Sequence, residues 1–286
     1  MSGRPRSLPF LLAGALLAPA APALAVTPDL TFGVRWEQGK FLGTEETGLG
    51  DVFLLMEGGS PAGRIGLRIP YTRIDRTGLV TMAPDAPIVL GAGGPGKPPW
   101  QESEADTSES DLGDLLLRYD TYLLRSGGGN RPSVNFFLDY KYGMADEKKG
   151  LGTGESDWGG GIDYVQPLGR VFQFLVSGSY QFMGSPEGVE FEDRLRLLAG
   201  FAIVTAKTNW RIVGESVTPA LEEVPVFDAA GVPTGALLEV EDYQVLRGEM
   251  VYRQKAGGTT RLYVQTGMND SSPDIGAGLS FSSRAQ

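Results

Sequence analysis

The chain of 286 residues contains no cysteine and no histidine. Without cysteine there are no disulfides, so an exported form of this chain must be stabilised by a packed core or by a closed hydrogen-bonded sheet. The double absence also removes the thiolate and imidazole ligands of zinc and the side chain that titrates near neutrality, and with them the histidine-dependent hydrolase and acyl-transfer chemistries. Long apolar runs are lacking too. Beyond the first residues no stretch approaches the roughly 18 consecutive apolar residues of a membrane helix, which excludes a helical membrane protein. Basic charge is in deficit, with 25 Lys and Arg against 35 Asp and Glu, and no basic patch is present. That balance argues against nucleic acid as a partner.

What is present begins with an export signal. Arg4 and Arg6 form a positive start, Phe10 to Ala18 is a short apolar run, and Ala23-Leu24-Ala25 is a small-x-small cleavage site. The expected organisation is a signal peptide over 1–25 and one domain over 26–286.

The mature chain is dominated by alternation. In "RVFQFLVSGSYQF", Arg170 to Phe182, Phe172, Phe174, Val176, Tyr180 and Phe182 share one parity and Gln173, Ser177, Ser179 and Gln181 the other. Successive side chains of a strand point to opposite faces, so this is a ribbon with one apolar and one polar side. The same pattern recurs around Phe32, Leu54, Leu67, Leu117, Phe136, Ile162, Leu197, Ile212, Met250, Val264 and Leu279, which makes twelve candidate strands. Two readings fit one such strand: a soluble sandwich with its apolar face inside, or a membrane barrel with its apolar face outside.

The connections separate them. "GGSP", "SGGGN", "PLGR", "TAKT" and "KAGG" are tight turns by their Gly, Pro and Asn content. The intervening links are longer: "QGKFLGTEETG", Thr77 to Ser110, Gly143 to Glu155, Met183 to Glu190, Pro219 to Glu241 and "MNDSSP". Strict alternation of short and long links is the habit of outer-membrane barrels, with tight periplasmic turns and long extracellular loops. An even strand count puts both termini on the short-turn rim. Trp36, Phe41, Tyr71, Trp100, Tyr142, Trp158, Phe182, Phe191 and Trp210 fall at or near strand ends, where interfacial aromatic girdles belong.

The charged parity defines the candidate lumen-lining set: Arg35, Arg64, Arg68, Asp114, Arg118, Asp120, Asp139, Lys141, Arg194, Arg196, Arg211, Glu215, Arg247, Glu249 and Arg261. Asp51, Glu57, Asp163 and Arg253 share that parity, and cations outnumber acids. Two lumens follow from these residues. In one, ion pairs brace a plug; in the other, a narrow aqueous path carries a basic surplus and favours anionic solutes. Glu155 with Asp157 is a conceivable carboxylate pair, and the acidic run Glu102 to Asp111 a conceivable calcium loop. Both are read as solvated loop acids, because the run lacks the Asp and Gly spacing of a dedicated site. No enzyme activity and no cofactor is expected. The glycines at 152, 154, 159, 160 and 161 are expected to ease sheet curvature, the alternative being that they let a loop fold inward.

Several phrases carry a family resemblance. "GLGDVFLLMEG", its echo "DLGDLLLRYDTYLL", "LGTGESDWGGGIDYVQPLGR" and "GMNDSSPDIGAGLSFS" resemble strand starts and loops of the outer-membrane transporters grouped under the MetA pathway of phenol degradation. The resemblance implies an all-β, antiparallel transmembrane β-barrel in the bacterial outer membrane, passing small solutes, with aromatic ones suggested by the family label. It implies as partners outer-membrane lipid and lipopolysaccharide, the barrel assembly machinery and a small-molecule solute. Here the final aromatic, Phe281, is followed by "SSRAQ", whereas such families commonly end on the aromatic itself. The alternatives are a structural envelope barrel with a plugged lumen and a secreted soluble β-sheet protein that binds a ligand.

The loop sorting makes a prediction about sidedness. A protease added to intact cells should cut within 77–110 and 219–241 and spare the five short turns; cleavage at the short turns from outside would invert the topology.

Overall fold

A computed structural model of the chain describes residues 28–39, 47–60, 62–76, 107–126, 129–146, 151–185, 191–221, 223–227, 233–255 and 257–283. The expected signal peptide, Phe41, Trp100 and residues 102–106 of the acidic run lie outside them. Among the described residues every regular element is a strand: β1 (Asp29–Gly39), β2 (Thr47–Ser60), β3 (Gly63–Arg76), β4 (Thr107–Leu112), β5 (Leu115–Leu124), β6 (Ser133–Tyr142), β7 (Asp157–Leu168), β8 (Phe172–Phe182), β9 (Arg194–Val204), β10 (Thr208–Val217), β11 (Glu223–Phe227), β12 (Pro233–Glu239), β13 (Tyr243–Arg253), β14 (Thr259–Gly267) and β15 (Ile275–Ser283).

Twelve of these close a barrel. Around it run β1, β2, β3, β5, β6, β7, β8, β9, β10, β13, β14 and β15, all antiparallel neighbours. The seam is β1 against β15, in register from Leu30 opposite Ser283 to Gln38 opposite Ile275. Closure leaves no edge strand with unpaired backbone groups, which is the condition for placing a sheet in hydrocarbon. The seam also brings both ends of the described barrel to the short-turn rim. Ser282 and Ser283 belong to the last strand, so Phe281 sits two residues inside its end.

The parity of side chains answers the inside-out question. Leu30, Phe32, Val34, Trp36, Leu197, Phe201 and Ile212 are exposed on the barrel's outer face, Ile212 at 64%. Asp51, Lys141, Asp157 and Glu215 are buried on its inner face, Asp157 at 1%. A soluble sandwich would invert these values, because its apolar parity packs on the core. The outer aromatics form two belts. Trp36, Tyr71, Tyr142, Trp158 and Phe182 stand exposed toward the long-loop rim, and Phe32, Phe172, Trp210, Tyr252 and Phe281 toward the short-turn rim. Trp158 stacks on Phe182 with ring centroids 4.1 Å apart. Phe191 does not join them: it is buried beside Ala220 in the loops above the barrel.

Two of the long connections contain structure that alternation did not anticipate. Thr107–Leu112, placed by the sequence in the loop that ends at Ser110, is strand β4, pairing with the upper half of β3 while β5 pairs with its lower half. The interruption is Gly113-Asp114, where Gly113 donates its N–H to the Pro70 carbonyl at 3.0 Å and Asp114 turns inward. A Cβ at Gly113 would lie 2.8 Å from Thr72 Oγ1, so the bend needs glycine. In the connection after β10, β11 and β12 pair as a separate two-stranded ribbon. The short turns behave as expected. Gly169 and Gly257 adopt φ of 82° and 91°, a left-handed conformation open to glycine at little cost.

Lipid-facing and lumen-facing positions therefore differ in what charge costs. Ile212→Arg should lower barrel stability by about 2–4 kcal/mol, the range for a charge near mid-bilayer, while Ser177→Arg, beside Asp163 on the inner face, should cost little. The fraction of heat-modifiable folded barrel in the two variants reports the difference; equal tolerance would reverse the assignment of faces.

Candidate functional site

The inner face is built by register. Antiparallel pairing sets Arg35 opposite Asp51, Arg64 opposite Asp120, Arg118 opposite Asp139, Lys141 opposite Asp157 and Arg211 opposite Glu249. Directly opposed residues of antiparallel strands have Cβ atoms about 5 Å apart, so opposite charges at these positions meet without further adjustment.

The charges then group in threes. Asp51 accepts from Arg35 Nη2 at 2.5 Å and from Arg68 Nη2 at 2.9 Å. Glu215 is held between Arg196, at 2.7 Å, and Arg247. Glu249 lies between Arg211 and Arg261 at 3.4 and 3.6 Å. Three other groups have the opposite composition. Lys141 Nζ sits 2.7 Å from Asp157 and 3.4 Å from Asp114. Arg118 lies 3.6 Å from both Asp139 and Asp163, and Arg64 lies 3.2 Å from Asp120 and 3.7 Å from Glu57. Glu37 adds a polar chain, facing Arg35 at 4.0 Å and accepting from Gln265 Nε2, which also contacts the Tyr243 hydroxyl at 3.1 Å.

These groups surround a cavity of about 450 Å³ inside the barrel. Of the residues expected on the lumen, Arg35, Arg68, Asp114, Arg118, Asp139, Lys141, Arg194, Arg196, Arg247, Glu249 and Arg261 line it. Arg64, Asp120, Arg211 and Glu215 do not: the first three lie toward the short-turn end, and Glu215 is buried behind Arg196 and Arg247. Aromatic rings on the same face support the guanidinium groups. Arg118 lies 3.8 Å over Phe137, Arg68 4.4 Å over Phe53 and Arg247 5.5 Å over Tyr263. Such stacking orients a cation without neutralising it.

Part of the mouth is filled by the connection after β6. Asp114 accepts the N–H groups of Met144 and Ala145 at 3.0 and 2.9 Å, and Lys141 Nζ contacts Thr153 Oγ1 at 3.3 Å. Leu151 and Ala145 pack with Leu49 and Ile74, both on the inner face. The glycines of this region do more than ease curvature. A Cβ at Gly152 would lie 2.6 Å from Ala145 Cβ and 2.9 Å from Asp114, so its role is to let the loop fold inward. A Cβ at Gly161 would lie 2.6 Å from the Phe137 ring, which leaves room for that ring under Arg118.

Alternation did not single out Glu37, Phe53, Phe137, Tyr243 and Tyr263 as inner-face residues, and Asp157 was weighed with Glu155 as a loop pair. Glu37 shares the parity of Arg35, and Asp157 that of Asp163, so both were accessible to the alternation argument. The aromatic residues were not, because apolar character alone assigns a side chain to the outside. With Glu37 and Asp157 added, and with Arg253 at the short-turn rim donating to the Thr205 carbonyl, the basic surplus read from the sequence disappears. Among the described residues no grouping of carboxylates is placed to hold a metal ion.

A closed antiparallel sheet with an apolar exterior, aromatic belts and an ion-paired interior around a cavity is an outer-membrane β-barrel. The chain is similar to an outer membrane channel from Pseudomonas putida F1, with a TM-score of 0.60 and 11% identity over 92% of this chain and 99% of that one. It is also similar to the NanC porin, with a TM-score of 0.51 and 6% identity over 90% of this chain and 100% of the porin. At such identities the likeness concerns the fold. No protein-family model and no curated protein matches the chain.

Burial makes the Lys141 group sensitive. Lys141→Met leaves two buried carboxylates without their cation and should lower unfolding free energy by about 3–5 kcal/mol. Removing the exposed Arg73–Asp75 pair should cost no more than about 1 kcal/mol. Adding Asp114→Asn and Asp157→Asn to Lys141→Met should recover most of the loss. Urea unfolding in detergent micelles measures all three.

Proposed function

We propose that the barrel gives small polar solutes passive passage across the outer membrane, with its short turns on the periplasmic side and its long loops outside. The observation that carries this is the cavity bounded by paired charges. A barrel serving only as a structural element would gain from filling its interior with apolar side chains, since replacing buried ion pairs by well-packed apolar groups is commonly neutral or stabilising. Charges on the inner wall keep water there, and water is what a polar solute needs to cross. Phe53, Tyr243 and Tyr263 also line the cavity and support tolerance for ring-bearing solutes, in keeping with the resemblance to transporters of phenol degradation. With the surplus of inner cations cancelled, no strong preference for anions is expected. The reading is one of passage and not of catalysis.

The loop folded in beside Lys141 sets the bore. Leu151 is fully buried against Leu49 and Ile74, so Leu151→Asp would expel the loop from that apolar contact while leaving every barrel strand paired. In planar bilayers the wild-type barrel should show small, steady conductance steps and the Leu151→Asp barrel larger ones. Absence of conductance in both, from protein shown to be folded, would favour the plugged structural barrel instead.

A further inference from the structure

The short turns carry a charge pattern that the passage of solutes does not use. Arg131, Arg170, Lys207 and Lys255 stand exposed in the turns β5–β6, β7–β8, β9–β10 and β13–β14. None of the residues joining these strand pairs is acidic, in a chain whose net charge is −10. The four cations are far apart in sequence, but the strands from β5 to β14 follow one another around the barrel, so their turns are neighbours on one rim. Hydrogen bonds join these turns side by side. Gly169 donates its N–H to Asn130 Oδ1 at 3.1 Å, Val204 to the Val171 carbonyl at 2.7 Å and Arg253 to the Lys207 carbonyl at 2.8 Å. Two strand spacings of about 4.8 Å separate one turn from the next, so a cation stands roughly every 10 Å along the arc. The loops at the opposite rim carry instead Glu192, Asp193, Glu241, Asp242 and Asp274.

The outer aromatic belt fixes the height of these cations in the membrane. Arg170 lies two residues outside Phe172, Lys207 three outside Trp210 and Lys255 three outside Tyr252, and all three rings are exposed on the lipid-facing surface. At about 3.3 Å per residue the cations sit about 7–10 Å to the water side of rings that mark the bilayer interface, within reach of lipid phosphates. Resting on the sidedness proposed above, we propose that this arc binds the phosphates of anionic phospholipid in the inner leaflet of the outer membrane. Lysine or arginine beside an anionic lipid surface favours contact by about fivefold for each cation. The adjoining rings favour lipid over a soluble acidic protein, because only a molecule of the membrane meets ring and cation together.

Trp210 allows this rim to be read directly. The chain has four tryptophans, so Trp36→Phe, Trp100→Phe and Trp158→Phe together leave Trp210 as the only one. In bilayers of brominated phosphatidylcholine mixed with phosphatidylglycerol, quenching of its fluorescence reports which lipid lies beside it. Phosphatidylglycerol should be preferred by about fivefold, and the preference should shrink as salt is raised. Adding Arg170→Gln, Lys207→Gln and Lys255→Gln should bring it to unity, folding of each protein being checked by heat modifiability. A companion barrel that keeps only Trp158, on the long-loop rim, should show no preference for phosphatidylglycerol. Equal occupancy by the two lipids beside Trp210 would overturn the proposal in favour of an acidic periplasmic protein as the partner of this rim. A preference that survives the three glutamine substitutions, or that is as large at Trp158, would overturn it as well. Quenching reads one rim whichever way the barrel inserts, so its outcome is independent of sidedness, which protease access tests, and of conductance.

Discussion

The inner wall of this barrel cannot bury a charge alone, and the remainder of the structure follows from that constraint. An ion drawn out of water loses several kcal/mol of hydration, which only an opposite charge and hydrogen bonds at close range can offset. Asp51, almost wholly buried, is met by Arg35 and Arg68 from the strands on either side. Lys141 is met by Asp157 from its neighbour strand and by Asp114 from the other side. Such contacts demand fixed registers between β1, β2 and β3 and between β5, β6 and β7. A slip of one residue would turn each of these charges toward lipid and each apolar side chain toward the lumen. Pairing inside and aliphatic exposure outside are therefore one specification, read on two faces.

Closure and wall thickness serve the same end. The seam between β1 and β15 completes the ring that brings Glu37 within reach of Gln265, which also contacts the Tyr243 hydroxyl. Glycines at 161 and 278 leave space that large inner side chains occupy: Phe137 beside the first and Tyr263 beside the second. Each ring then lies under an arginine, Arg118 and Arg247. Small residues on one strand thus make room for a ring on the next, and the ring positions a guanidinium toward the cavity. The inward loop near Lys141 obeys the same rule, since Asp114 satisfies two of its backbone N–H groups and Gly152 admits it without collision.

Alternation located every barrel strand because the two faces of a membrane sheet meet solvents of opposite kind, so period two runs almost unbroken through segments such as Phe172–Phe182. Short and long connections were legible for a similar reason: turn residues mark tight reversals wherever they occur. The failures were of other kinds. Strand β4 lies beyond the apolar belt, where neither face needs to be apolar, so Thr107–Leu112 looks like an acidic loop. Phe191 sits near a strand end yet packs on Ala220, because sequence proximity to a rim does not say whether a ring turns toward lipid or toward a loop. Phe53, Phe137 and Tyr263 have the inner parity, but their apolar character gave no sign that an arginine would stack on each.

The sequence by itself determined the class of this protein: twelve alternating segments, no disulfide, no histidine chemistry, and one charged parity. It determined these because composition and period are local properties. Only the tertiary structure decided that Arg35 and Arg68 share one carboxylate while Lys141 shares two, and that a loop folds into the mouth. Those outcomes depend on which strand lies beside which and at what register, and the contacts that decide them join residues far apart in the chain. The sum of charges on one parity was readable from the residues; their grouping into ion-paired sets exists only once the sheet has closed.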